Sequence, residues 1–359
     1  MTGSRALVLG ATGQIGRAAV CALAKDGWRV TAASHGGGAD AGWPEEVTPV
    51  AVDREAAGAL EGTVGDGYDL LLDVTATTPG HARQIAGLAG RLGSAVVLSS
   101  GAVYEDDSGR SFATMGEPER APRYPVPIPE TYRTVPPDRE EYGSRKVLIE
   151  NELTALGDRL PVTLLRAGAV YGPHCRTPRE LYFVKRWLDD RRVRVLAYRG
   201  ESRFHPVHVD NIAELVRLAA RQPGSRVLNA ADPEAPTVAR IAELHDEVLG
   251  RECKTVLLDG APPEEAPTVG RTPWSLPYPL VMDMSAAEQE LGYRPVTTYE
   301  QALPGTVEWL LGHLHGQDWR EALPAMAAAY DPMGELFDYA AEDRWLTENG
   351  RSGAGSVTG

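Results

Sequence analysis

Cysteine is scarce in this chain, with three in 359 residues, at Cys21, Cys175 and Cys253. So small and scattered a set excludes both a disulfide framework and a cysteine-built zinc site, and it fits a reducing compartment. Basic residues are in the minority: 36 Lys and Arg against 50 Asp and Glu leave a formal net charge of −14. That balance argues against a protein whose main task is to grip a nucleic-acid backbone, because such affinity comes from Lys and Arg displacing counterions. No apolar run approaches the roughly 18 residues that a membrane span needs. The first apolar strand begins within a few residues of Met1, which leaves no room for a signal peptide, so a cytoplasmic protein is expected. Apolar residues, in contrast, make up 43% of the chain, enough for a sizeable core, and intrinsic disorder of the bulk is excluded. The length predicts one large domain or two closely joined ones.

Over the first hundred residues short apolar runs alternate with helical spacings. The run 6–9 (ALVL) is too short for a helix and ends at glycine, and 14–25 then carries Ile15, Ala18, Ala19, Ala22 and Leu23 at helical period. Strands are predicted at 29–33, 47–52, 69–74 and 95–99, with a helix over 81–92. Strands apolar on both faces and separated by helices predict an α/β fold, a Rossmann-type doubly wound parallel sheet, with a smaller C-terminal substrate-binding lobe. A Pro-rich stretch over 105–139 is too long for an ordinary connection and is expected to line a site or stay mobile. Helices are read at 141–156, 179–190, 210–220 and 238–249, a strand at 162–165, and a second loop rich in Pro, Trp and Glu at 262–279. The predicted division is a nucleotide-binding unit over 1–173, with 205–230 returning to it. A substrate lobe follows over 174–204 and 231–315, then a helical extension over 316–349 and a disordered tail over 350–359.

Gly10, Gly13 and Gly16 punctuate the turn between the first strand and the first helix. Glycines at such spacing permit a tight turn, close approach of a pyrophosphate and close helix–strand packing, while the helix N-terminus offers N–H groups to the phosphates. Thr12, Gln14, Ile15 and Arg17 belong to the same predicted cofactor loop. The ribose-selecting carboxylate should stand at the end of the second strand, but the sequence there is Ser34-His35 followed by three glycines. Its absence removes a repulsion against a 2′-phosphate, and Ser34, His35 and Arg17 could bind one, so NADP is favoured over NAD. Asp53, with Arg54 beside it, is read as an acceptor for the adenine amino group.

Tyr142 and Lys146 stand four apart and therefore share a helix face. An ammonium beside a phenol favours the phenolate and lowers its pKa, which suits proton transfer to or from a substrate oxygen. Ser100, ending a strand, supplies a hydroxyl for that same oxygen.

These pieces, together with residues 99–104 (SSGAVY), 129–130 (PE), 165–173 (LRAGAVYGP), 207–210 (VHVD) and 291–295 (LGYRP), run in an order that resembles the extended short-chain dehydrogenase/reductase family over residues 4–312. Its members include nicotinamide-dependent sugar-nucleotide epimerases and dehydratases. The resemblance implies that Ser100, Tyr142 and Lys146 are catalytic, with Lys146 also holding the nicotinamide ribose. It implies that Thr75, Ala76, Thr77 and Ser99 line the cofactor, and that Ala167 and Gly168 approach the nicotinamide. Ala169 stands where many sugar-nucleotide members carry Asn, and Phe204 where many carry Arg. The short connection between the fourth and fifth strands resembles a compact branch that includes chloroplast stem-loop RNA-binding proteins.

After the Gly172-Pro173 turn, His174, Cys175, Arg176 and Arg179 open the substrate lobe, where cations could pair with a carboxylate or phosphate. Tyr104, His174, Arg176, Arg203 and His208 are the expected substrate contacts, and Trp274 and Tyr278 could cover an apolar substrate. The histidines lack metal-ligand spacing, so no metal is expected. Ile149, Leu153 and Leu156 form a stripe suited to the core or to a dimer contact, and a homodimer is expected. The expected function is hydride transfer at a secondary alcohol or ketone of a small molecule, with net reduction slightly favoured. The alternative is a non-catalytic cofactor-sensing or RNA-binding scaffold, which the intact Ser–Tyr–Lys set and the acidic charge count against.

Overall fold

The computed structural model describes residues 3–350. The first half alternates β1 (Arg5–Leu9), α1 (Gln14–Lys25), β2 (Arg29–Ser34), β3 (Thr48–Ala51), α2 (Ala59–Val64), β4 (Tyr68–Asp73), α3 (Pro79–Gly87) and β5 (Leu92–Ser100). Then come α4 (Tyr142–Thr154), β6 (Val162–Ala167), β7 (Ala169–Tyr171), α5 (Leu181–Leu188), β8 (Val193–Leu196), β9 (Pro206–His208), α6 (Val209–Arg221) and β10 (Arg226–Ala230). The chain continues through α7 (Val238–Leu249), β11 (Lys254–Leu257), α8 (Ser285–Leu291), α9 (Tyr299–Leu314), α10 (Trp319–Ala322), α11 (Pro324–Tyr330) and α12 (Tyr339–Glu348).

Seven strands form one parallel sheet in the order β10-β6-β5-β4-β1-β2-β3. Alternate residues feed two cores. Ala6 and Val8 of β1 and Leu70 and Leu72 of β4 face α1 and α6, whereas Leu7, Leu9 and Leu71 face α3 and α4. Burial on both faces is why these strands read as continuous apolar runs. The chain order reverses between β1 and β4, and in such sheets the crevice beyond the strand C-termini at that reversal is where ligands bind.

Local chemistry sets the helix ends. Thr78 caps α3 by accepting from the His81 N–H, with Pro79 in the first turn. Thr237 caps α7, which ends at Gly250 in the left-handed conformation. The helix predicted over 81–92 instead stops at Gly87, and a single 3₁₀ turn at Ala89–Arg91 leads into β5. The helix α2 has six residues, too few to show a period, and was not foreseen.

The long connection 105–139 is ordered by side chains. Glu105 is buried and takes ion pairs from Arg133 and Arg139. The Asp106 carboxylate accepts from the backbone N–H groups of Ser108, Arg110 and Arg123, and these hold its pKa below the ordinary value against the opposing effect of burial. The stripe Ile149, Leu153 and Leu156 is buried in the chain's own core against the sheet, so it offers no face to a second copy. Past α9, Glu342 of α12 accepts from Arg186 of α5 and from Arg191, tying the helical extension to the lobe. The tail expected at 350–359 lies, apart from Gly350, outside the described residues. Among those residues no helix is long and apolar enough to cross a membrane, and no group of His, Cys, Asp and Glu is placed to hold a metal ion.

Candidate active site

The strand C-termini deliver the expected residues to one crevice. Gly10 follows β1 with φ +83°, a conformation that costs glycine little. At Gly16 a Cβ would overlap the Gly10 carbonyl oxygen and lie 2.8 Å from Ala11 Cα, so the helix can sit this close to the turn only with glycine there. Gly13 caps α1 and brings no side-chain acceptor to it. The first-turn N–H groups and the positive end of the helix therefore face the loop. These features fit a dinucleotide pyrophosphate.

A cavity of about 410 Å³ opens beside this loop. Its walls include Gln14, Ile15, Ser99, Ser100, Tyr142, Lys146, Ala167 and Gly168. Ser100 Oγ accepts from the Ala102 N–H at 3.1 Å, which leaves the hydroxyl hydrogen to donate elsewhere. Tyr142 opens α4 and is 43% exposed. Desolvation raises its phenol pKa, while a hydrogen bond with Ser100 and the charge of Arg145 pull it back. The expected lowering by Lys146 is not what this arrangement does. Lys146 Nζ donates to the Ala76 carbonyl at 2.7 Å and the Leu98 carbonyl at 2.8 Å, and lies 5.8 Å from the centre of the Tyr142 ring. Burial pushes the Lys146 pKa down to about 8, against the opposing charges of Asp73 and Glu150.

Other cofactor candidates are placed unevenly. Ser99 reaches the cavity wall, but its hydroxyl donates to Glu150 in the buried core. Glu150 in turn pairs with Arg166 at 2.7 Å. The Ala76 carbonyl serves Lys146, the Thr77 N–H donates to His81 Nδ1, and Thr75 bonds Asp73. Arg54 donates to Asp73 at 2.7 Å and to Thr75 at 2.9 Å, so its guanidinium braces the ends of β3 and β4. Asp53 is exposed and accepts from the Glu55 N–H. Ser34 Oγ accepts from the Gly37 N–H, and His35 is exposed. Arg17 donates to the Thr12 carbonyl at 2.8 Å and pairs with Asp40.

Of the expected substrate contacts, Arg176 lines the cavity and four others do not. Tyr104 is fully buried, its hydroxyl bonded to Asn229 at 2.6 Å. Arg203 donates to the Ala235 carbonyl, away from the cavity walls. His208 is buried, caps α6 by accepting from the Asp210 N–H, and packs against Tyr171. His174 faces outward against Trp309. Trp274 is wholly buried, and Tyr278 lies against Arg123. Among the walls that sequence reasoning missed are Thr177 and the apolar Phe112, Val170, Phe204 and Leu280. Phe112 sits on a one-turn helix in the long connection, where no periodicity could announce it.

The profile of the NAD dependent epimerase/dehydratase family matches residues 6–231. The chain is 24% identical over 197 residues to the uncharacterized Escherichia coli protein YbjS, a match covering 49% of this chain and 57% of that protein's length. Among solved structures it resembles a UDP-N-acetylglucosamine 4-epimerase from Methanobrevibacter ruminantium, with TM-score 0.64, 20% identity, and 87% of this chain and 99% of the other covered. A UDP-glucuronic acid 4-epimerase from Bacillus cereus in complex with NAD gives TM-score 0.65, 16% identity and coverage of 88% and 99%. A dTDP-glucose 4,6-dehydratase from Bacillus anthracis in complex with NAD gives 0.62, 16%, and coverage of 89% and 99%. At such identities these structures speak for the fold. With the family match spanning the glycine loop, the Ser–Tyr–Lys cavity and the sheet that builds them, this chain belongs to the NAD dependent epimerase/dehydratase family.

Proposed function

We propose that this protein is a nicotinamide-dependent oxidoreductase acting at a secondary alcohol or ketone carbon of a small molecule. The observation that carries this reading is the meeting of Ser100, Tyr142 and Lys146 at one cavity edged by the glycine loop. When bound, the nicotinamide supplies the hydride acceptor or donor. Tyr142 exchanges a proton with the substrate oxygen, and Ser100 donates a hydrogen bond to it. Lys146 donates to the carbonyls of Ala76 and of Leu98 in β5, and would hold the nicotinamide ribose when the coenzyme binds.

The coenzyme we propose is NAD, in place of the NADP that the bare sequence favours. Arg17, the cation nearest the glycine loop in sequence, is neutralised by Asp40, and two of the solved neighbours are complexes with NAD. We also propose that the hydride returns within one turnover, as the names of the epimerase and dehydratase neighbours support, instead of leaving in a net reduction.

Thermal shifts with NAD and NADP in both redox states test the first step. A ligand at 100 times its Kd stabilises the fold by about 2.7 kcal/mol, enough for a shift of several degrees. Tyr142→Phe should lower kcat by about 10²–10⁴-fold and leave NAD affinity intact. Full retained turnover would overturn the mechanism, and stoichiometric NADH consumption would replace the internal cycle by net reduction.

A further inference from the structure

The part of the cavity farther along the chain from the glycine loop carries two arginines and an apolar wall. Arg176 and Arg179 line it with Phe112, Phe204 and Leu280. The Arg179 guanidinium lies over the Phe204 ring at 4.9 Å and over Trp274 at 5.5 Å. Its Nε is buried without a hydrogen-bond partner. Among the described residues neither arginine has a carboxylate at ion-pair distance, whereas Arg166 and Arg186, on buried ground elsewhere, are paired with Glu150 and Glu342. The adjacent Glu180 makes no ion pair with Arg179: its carboxylate is turned into the core, where the Tyr299 hydroxyl donates to it at 3.2 Å, and burial pushes its pKa up while the charge of Arg179 draws it back.

Of the cations in the cavity wall, Lys146 is held by two carbonyls, whereas Arg176 and Arg179 have no carboxylate partner among the described residues. We propose that the substrate carries an oxyanion, a carboxylate or phosphoryl group, that docks on Arg179 and Arg176 while its carbon body lies against Phe112, Phe204 and Leu280. Arginine suits both anions, since its fork donates two parallel hydrogen bonds to either. A cavity of about 410 Å³ is in the lower part of the range of roughly 300–1,000 Å³ for small-ligand sites. The nicotinamide takes a share of it, so the remainder suits a small acid. This inference rests on the hydride-transfer reading, for it assumes that the reacting carbon lies at Ser100 and Tyr142.

The test is calorimetric titration of the NAD-saturated protein with phenyl phosphate, phenylacetate and the neutral phenylacetamide. At least one anion should bind about tenfold or more tighter than the amide, the scale of one charge-assisted hydrogen bond. The tighter of the two anions identifies the group. Arg179→Gln should abolish the preference with NAD affinity unchanged, and Arg179→Lys should retain part of it. If the glutamine variant does not fold, the wild-type preference and the lysine variant decide. No anion preference in the wild type, or a preference that survives in a folded Arg179→Gln, overturns the proposal. NAD binding and the loss of turnover in Tyr142→Phe would be untouched by that failure, so the two readings fall separately.

Discussion

Glu150 and Arg166 form a two-pronged ion pair beside the end of β5, with Arg166 Nη2 2.7 Å from Oε2 and Nε 3.1 Å from Oε1 of Glu150. Both residues are buried, and Glu150 also accepts from Ser99, the neighbour of Ser100. Removing one partner of such a pair strands a charge in the core. Glu150→Ala should therefore destabilise the fold by about 3–5 kcal/mol, seen as a lower urea midpoint. The double variant Glu150→Leu with Arg166→Met should recover much of that loss. Equal losses in the single and double variants would refute the stranded-charge explanation.

Lys146 gives the fold a pH signature. Its folded pKa of about 8 lies below the ordinary lysine value, about 10.4. Between those two values the unfolded chain still holds a proton that the folded chain has released, so this group's contribution to stability rises with pH across that window and is level below it. Unfolding free energies of the wild type and Lys146→Met, compared from pH 7 to pH 10, should diverge above pH 8 in favour of the wild type. Parallel curves would mean that Lys146 titrates as an exposed lysine does.

Gly16 tests the close approach of helix and turn. Because a Cβ there meets backbone atoms of Gly10 and Ala11, no side-chain adjustment can relieve it. Gly16→Ala should shift α1 and cost both melting temperature and NAD affinity, whereas Gly87→Ala, where the added Cβ meets nothing within 4 Å, should cost neither. Equal behaviour of the two variants would remove Gly16 from the cofactor cradle.

Asp40 should govern coenzyme choice through Arg17. Asp40→Asn frees the guanidinium that Asp40 now neutralises, and the Kd ratio should move toward NADP by about tenfold, the worth of one charge-assisted hydrogen bond. An unchanged ratio would place Arg17 outside the 2′-phosphate site.

The sequence by itself determined the parallel sheet and the grouping of Tyr142 and Lys146 on one helix face. Strands buried on both faces must be apolar in long runs, as 6–9 and 95–98 are. The period of α1 and the four-residue spacing of Tyr142 and Lys146 are properties of a single helix, so they are readable without knowing its neighbours. Tertiary structure alone decided which polar residues face the cavity. Tyr104 and His208 look as available in sequence as Ser100, yet Asn229 takes the Tyr104 hydroxyl and the packing of Tyr171 covers the His208 ring, both partners brought near only by folding. Likewise Lys146 keeps its sequence spacing from Tyr142 but turns its ammonium to the Ala76 and Leu98 carbonyls. Phe112 and Arg179 border the cavity because the 105–139 connection and the entry to α5 fold against it. Such long-range partnerships leave no periodicity in the chain, because they depend on which distant donors and acceptors the fold brings within hydrogen-bonding distance.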